Sequence, residues 1–365
     1  MPEVKLVNIT KRYGKIVAND NVNLTIKDGE YVSVIGPSGC GKTTMIKNIA
    51  GIIQPDNGEI YIGGKLVTDL PIEERGIGYV FQNIALFPHL TVWDNISYGP
   101  KVKGLSPEEM RPLALEMLEM IKLSARSDAY PDELSGGTQQ KIAVARALMS
   151  RAKLLLLDEP LGALDVKVRT ELRYELRKLV RDLKLTALHV THDQEEAMSI
   201  SDRVIVMKRG SIVETGAPID LYSQPKNIFT ANFVGEANFL TGIITHMTDE
   251  GSLVEVGDNL QLTTKSIDKK IGDSVVIAFR PEFAFIGDRI KINKVYGSVV
   301  DALYSGSTIR LKVRLVNGDI IVAKRTLHIN RLLPTIGNKV TMTISPNNIV
   351  VYDYPENLNK ELALE

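Results

Sequence analysis

The chain has one cysteine, Cys40, among 365 residues. No intrachain disulfide is available to it, which fits a reducing cytoplasm and argues against a disulfide-stapled extracellular scaffold. Charge of one sign is also lacking, since 44 Lys and Arg stand against 44 Asp and Glu. That balance argues against nucleic acid held by bulk charge and leaves room only for a local basic patch. No apolar run approaches the ~20 residues that cross a bilayer, and the opening Met-Pro-Glu-Val-Lys has no signal-peptide core. A membrane role would have to come through a partner. At this length two domains are expected.

What is present is led by Val34-Ile-Gly-Pro-Ser-Gly-Cys-Gly-Lys-Thr-Thr44. It fits G-x-x-x-x-G-K-[ST] and lies between a strand-like run, Tyr31 to Ile35, and a helix-like one, Thr43 to Gly51. Glycines let the backbone from Gly36 through Pro37, Ser38, Gly39, Cys40 and Gly41 turn N–H groups inward around phosphate oxygens. The helix that follows adds partial positive charge. Lys42 reaches the outer phosphates, and the Thr43 hydroxyl, next to Thr44, can ligate Mg²⁺. The stretch reads as a triphosphate cradle, with Cys40 a small loop residue and not a nucleophile.

Upstream, residues 4 to 9 and 21 to 27 alternate as strands joined through Lys11-Arg-Tyr-Gly-Lys15. Tyr13 there can stack on a nucleobase or serve as an ordinary strand-end tyrosine. Gly76 to Gln82 reads as a strand ending on Gln82, within reach of a metal or water near the phosphates. From Asn83 to about Met120 the pattern is helical with breaks at Pro88, Gly99-Pro100 and Gly104, a candidate insert that carries Phe87, His89 and Trp93. Core is the commoner home for such residues, and a docking surface is the alternative. Leu134-Ser-Gly-Gly-Thr-Gln-Gln-Lys141 opens a helix, so Ser135, Gly136 and Gly137 form a second anion site at a helix N-terminus, or else a plain N-cap. One triphosphate needs only one cradle.

Lys153 to Glu159 is an unbroken apolar run ending in two acids, the pattern of a buried parallel strand. At its end Asp158 can hold Mg²⁺ and Glu159 is placed to take a proton from an attacking water. Pro160 to Asp165 follows, then a helix to about Lys184 and a strand from Thr186 to Thr191 that delivers His192, an imidazole able to donate to a γ-phosphate or to face solvent. From about Glu236 the texture changes to short alternating strands, with Asn317-Gly318 a strong hairpin turn. A small antiparallel barrel or sandwich is expected there, and its balanced charge gives a nucleic-acid reading little support.

In this order, the phosphate loop, Val80-Phe-Gln-Asn83, Leu-Ser-Gly-Gly at 134 to 137, Asp158-Glu159, Leu161-Gly-Ala-Leu-Asp165 and His192 resemble the ATP-binding-cassette ATPases over residues 3 to about 235. Arg280-Pro-Glu282 and Ser345-Pro-Asn-Asn-Ile349 are similar to the C-terminal barrel of importer ATPases of the sugar, polyamine, iron and oxyanion types. The resemblance implies an α/β phosphate-loop ATPase domain at 1–235, with a mixed, mainly parallel sheet and a helical insert at about 83–150, then an OB-like all-β (TOBE) regulatory barrel at 236–365. It implies ATP and Mg²⁺ as cofactors. Lys42, Glu159 and His192 would be catalytic, Thr43, Gln82 and Asp158 would hold the metal, and Tyr13, Gly36 to Thr44, Gln82, Ser135, Gly136, Gly137 and Asp165 would surround nucleotide.

The resemblance further implies a head-to-tail dimer in which the phosphate loop of one copy and the signature of the other clamp each ATP, so that two anion sites per chain become two composite sites. It implies separate membrane permease subunits, a solute-binding protein beyond them, and a cytoplasmic location on the inner membrane face. Sugar is the first expected solute, ahead of polyamine, iron or an oxyanion. Thr138 and Lys141 depart from the more usual glutamine and arginine, and altered contacts between copies are expected from them. A cassette protein acting on DNA or ribosomes usually shows paired cassettes, a long coiled coil or a basic surface, none of which is found. A GTPase would need N-K-x-D, which is absent.

Overall fold

Four consecutive leucines, Leu154 to Leu157, have no exposed surface, and a strand dry on both faces belongs inside a parallel sheet. The computed structural model places them there, and it describes residues 2–150, 152–162, 164–249, 251–258, 260–287, 292–327 and 334–363. Packing divides the chain between Pro218 and Ile219.

In the first unit the elements are β1 (Val4–Tyr13), β2 (Ile16–Ile26), β3 (Tyr31–Ile35), α1 (Lys42–Ala50), β4 (Asn57–Ile62), β5 (Lys65–Leu66), β6 (Ile77–Val80), α2 (Val92–Val102), α3 (Pro107–Met120), α4 (Gly136–Met149), β7 (Leu154–Asp158), α5 (Val166–Asp182), β8 (Thr186–Val190), α6 (Gln194–Ile200), β9 (Arg203–Lys208) and β10 (Ser211–Gly216). A six-stranded sheet runs β10-β9-β3-β8-β7-β6. Only the β10–β9 pair is antiparallel. The register sets Asp158 against Val190 and Ile35 against Val206, so the loops after β3, β7 and β8 leave from one carboxyl edge, where open α/β sheets bind ligands. A smaller antiparallel sheet, β2-β1-β4-β5, packs its apolar side on the same core.

The insert forms around a second core. Ser106 and Glu109 make a capping box with Pro107 in the first turn, which starts α3. Ile96, Leu118 and Ile142, from α2, α3 and α4, are each fully buried in that core. Phe87 remains half-buried, its ring 4.5 Å from Tyr98 and under the Arg146 guanidinium at 5.0 Å, whereas Trp93 packs against the core itself.

The second unit contains α7 (Pro218–Ser223) from Ile219 onward, α8 (Ile228–Phe233), β11 (Asn238–Thr248), β12 (Gly251–Glu255), β13 (Gln261–Thr264), β14 (Ser274–Phe279), β15 (Ala284–Ile286), β16 (Lys294–Ser305), β17 (Thr308–Leu315), β18 (Ile320–Thr326), β19 (Lys339–Ile344), β20 (Val350–Asp353) and α9 (Leu358–Leu362). Two antiparallel five-stranded sheets, β13-β12-β11-β14-β20 and β15-β19-β16-β17-β18, enclose a common core. The packing boundary precedes the texture change near Glu236 because α8 lies on this barrel. Ile228 and Ala231 pack with Val276, Ala278 and Tyr352, and buried Arg280 donates to the carbonyls of Tyr222 and Ala231.

Candidate nucleotide site

Gly41 has φ 103°, and a Cβ there would lie 2.0 Å from the Ala18 carbonyl oxygen, so no L side chain fits. It starts α1 without a side-chain cap, leaving first-turn N–H groups for another acceptor. The Lys42 ammonium is buried and donates to the Gly36 and Pro37 carbonyls at 2.8 and 2.9 Å, which hold it over the loop. Cys40 is buried as well. Burial pushes its thiol up against the pull of Lys42, so the sulfur is a packing atom and not a thiolate.

At the end of β7 the two acids part ways. Asp158 is buried, with its Oδ1 accepting from the Thr43 hydroxyl at 3.2 Å and its Oδ2 from the Tyr79 hydroxyl at 2.9 Å. A hydroxyl and a carboxylate side by side are hard oxygen donors of the kind Mg²⁺ takes together with phosphate and water. Glu159 turns away through φ 47°, a left-handed conformation unusual for a side-chain-bearing residue. Its Oε2 accepts from Gln82 Nε2 at 3.0 Å and lies 3.1 Å from His192 Nδ1. The structure thus joins Gln82, Glu159 and His192 directly, and Thr43 to Asp158. Gln82 spends its amide on Glu159, and among the described residues no bond ties it to the Thr43–Asp158 pair.

Ser135 caps α4, accepting from the Thr138 backbone at 3.4 Å, with the two hydroxyls 2.9 Å apart. Gly137 faces α5 so closely that a Cβ would meet Val168 Cγ1 at 2.5 Å, and Gly136 faces Leu164. Asp165 caps α5 through the Val168 N–H. Ser135, Gly136 and Asp165 are all exposed. Among the described residues no hydrogen bond links these three to the phosphate loop of their own chain. Tyr13 is 46% exposed at the end of the β1–β2 hairpin, its ring touched by the Lys11 ammonium. Lys141, whose change was expected to alter contacts between copies, turns inward to Glu175 of α5 at 2.6 Å.

Two groups escaped the sequence reading. Tyr79 carries no motif signal beyond its place in a strand next to the acidic one. Beneath His192, the Tyr31 hydroxyl lies 3.0 Å from His189 Nδ1, His189 Nε2 lies 3.3 Å from Glu196, and Glu196 accepts from Thr191 at 2.6 Å. Burial opposes charge on Glu196, but His189, Thr191 and Arg173 outweigh it and hold the carboxyl below its usual range. The one available sequence signal was Asp193 followed three residues later by Glu196, a helix-start pattern that places the glutamate but not its buried partners.

A cradle for polyphosphate at one end of a sheet edge and a carboxylate poised for water at the other mark a nucleoside-triphosphate hydrolase. The family model for the ABC transporter matches residues 19–162, and that for the TOBE domain matches residues 277–351. The spermidine/putrescine import ATP-binding protein PotA of Mannheimia succiniciproducens is 38% identical over 88% of this chain and 87% of its own. The Fe(3+) ions import ATP-binding protein FbpC of Fusobacterium nucleatum is 37% identical over 96% and 93%. A solved dimer of the ATP-binding cassette MJ0796, bound to ADP and Pi, is 39% identical with a TM-score of 0.53, covering 59% of this chain and 98% of that one. The chain belongs to the ABC transporter family of ATP-binding proteins. It is an ATPase, with ATP and Mg²⁺ as its cofactors and a TOBE-type barrel at its C-terminal end.

Proposed function

We propose that the protein is the ATP-hydrolysing subunit of a polyamine importer. The observation that carries the motor assignment is the convergence of Gln82 and His192 on Glu159, beside a Thr43–Asp158 pair and a phosphate loop. Lys42 and the amides from Gly36 to Thr44 bind the phosphates of ATP, and Tyr13 stacks on its base. Thr43 and Asp158 hold Mg²⁺, with Gln82 reporting on the metal. Bound there, the ion neutralises charge on the phosphate oxygens. Glu159 orients the attacking water and accepts its proton, and His192 steadies Glu159 and donates to the γ-phosphate.

Ser135, Gly136, Gly137 and Asp165 serve the nucleotide of a second copy in a head-to-tail dimer. The exposure of Ser135, Gly136 and Asp165, and the dimeric state of the cassette MJ0796, support this. ATP then favours the closed pair and its hydrolysis opens it. The first unit, to Pro218, carries the chemistry, with the insert at 83–150 receiving a cytoplasmic helix of a permease subunit, and the second unit, from Ile219, regulates. Among the described residues no helix is long and apolar enough to cross a membrane. The motor works from the cytoplasmic face on separate permeases, supplied by a solute-binding protein, a reading supported by the relatives named as import ATP-binding proteins.

Polyamine takes precedence over the sugar expected from sequence because relatives that span most of the chain are named for spermidine and putrescine. Iron(III) is the second reading, favoured by the Fusobacterium relative. Uptake of labelled spermidine, iron(III) and a disaccharide in cells with and without this chain tests the assignment. Loss of spermidine uptake alone is expected, and loss of disaccharide uptake alone would refute it.

A further inference from the structure

We propose that Tyr79 is a positioning residue for the metal-binding carboxylate. The inference rests on the reading that Thr43 and Asp158 hold Mg²⁺. Tyr79 lies on β6, paired in parallel with Leu156 on β7, two residues before Asp158. Its hydroxyl donates to Asp158 Oδ2 at 2.9 Å, while Thr43 donates to Oδ1 at 3.2 Å. Asp158 is only 4% exposed, so water has little access to replace either bond. Two donors on opposite oxygens fix the plane of the carboxylate, as outer-shell partners do for metal ligands elsewhere.

The phenol is kept as a donor. A tyrosine hydroxyl keeps its proton at neutral pH, and the acceptor-only carboxylate beside it takes that proton as a hydrogen bond. Its ring packs 4.5 Å from Phe81, the residue before Gln82. The same side chain therefore touches the metal end of β7 and the strand end that leads to Glu159 and the insert. Without the hydroxyl, Oδ2 becomes a buried oxygen with no donor and the carboxylate can rotate away from Thr43.

Two variants remove the hydroxyl, Y79F with the ring kept and Y79M with it replaced, and D158N serves as the reference. Binding of a fluorescent ATP analogue is titrated with Mg²⁺ and, separately, measured in excess chelator. In both Tyr79 variants the Mg²⁺ concentration for half-maximal effect should rise about tenfold, with nucleotide affinity in chelator unchanged. If D158N loses the Mg²⁺ effect and Y79F keeps the wild-type midpoint, Tyr79 has no such part and the metal reading stands. If D158N itself keeps the wild-type midpoint, the metal reading fails and the role of Tyr79 fails with it. A rise in Y79M alone would trace the effect to the ring and overturn the proposal.

Discussion

Glu159 holds a left-handed backbone angle, which costs a non-glycine residue about 1–3 kcal/mol and survives only where the surroundings insist on it. Here the Val190 carbonyl takes its N–H at 2.8 Å, while Gln82 and His192 fix its carboxylate. Glu159→Gln preserves that shape and removes the proton acceptor. Hydrolysis should fall by about 10²–10⁴-fold, with ATP still bound and a long-lived dimer visible by size-exclusion chromatography with light scattering. Wild-type turnover in this variant would remove Glu159 from the role of base. Residues of this kind were legible because each motif couples residue type to a strand end. Tyr79 and His189 were not, because a phenol or imidazole inside a β pattern reads as packing until the neighbouring strand is known.

At the scale of elements, the contact of α4 with α5 sets two effects against each other. Replacing Gly137 by alanine gains about 0.4–1 kcal/mol by restricting the unfolded chain. The new methyl must then displace Val168, whose branched side chain has little freedom, and overpacking costs about 1–3 kcal/mol. A net loss of about 1 kcal/mol is expected from G137A in chemical denaturation, reversed to a gain when G137A is made in a V168A background and compared with V168A alone, since Val168 has packing of its own with Leu161, Leu164 and Leu172. A loss that persists in that background would show that the clash is not the cause.

The start of β3 offers a pH test. Burial raises the Glu30 carboxyl, but two bonds from Arg203 on β9, at 2.7 and 2.8 Å, and one from the Lys27 N–H hold it below the usual range. A lowered folded pKa gives stability that is present above the unfolded value and lost as pH falls through the folded one. Glu30→Gln should therefore cost about 1–3 kcal/mol at pH 7, with the gap to wild type closing below about pH 4. An equal gap at pH 3 and pH 7 would contradict the charge argument.

Most strands of both units were legible from alternation and from the leucine run. The short β13 (Gln-Leu-Thr-Thr) and β15 (Ala-Phe-Ile) were not, because three or four residues hold little period of their own and, unlike the equally short β6, neither leads into a motif. Their strand state comes from the pairings with β12 and β19.

For the whole molecule, the solved MJ0796 cassette answers to 59% of this chain with almost none of its own length left over. A chain ended at Pro218 should accordingly fold and hydrolyse ATP. A folded but inert product would make the barrel part of the chemistry. The larger claim is that the loop of one copy and the signature of another share each nucleotide, since the two anion sites of a single chain make no bond to each other among its described residues. The most direct test mixes Lys42→Ala chains with Ser135→Arg chains, each inactive alone, and measures ATP hydrolysis once mixed dimers are confirmed by mass. The expected result is partial recovery, from the one composite site per mixed dimer that keeps both Lys42 and Ser135. Mixed dimers as inert as their parents would contradict shared sites.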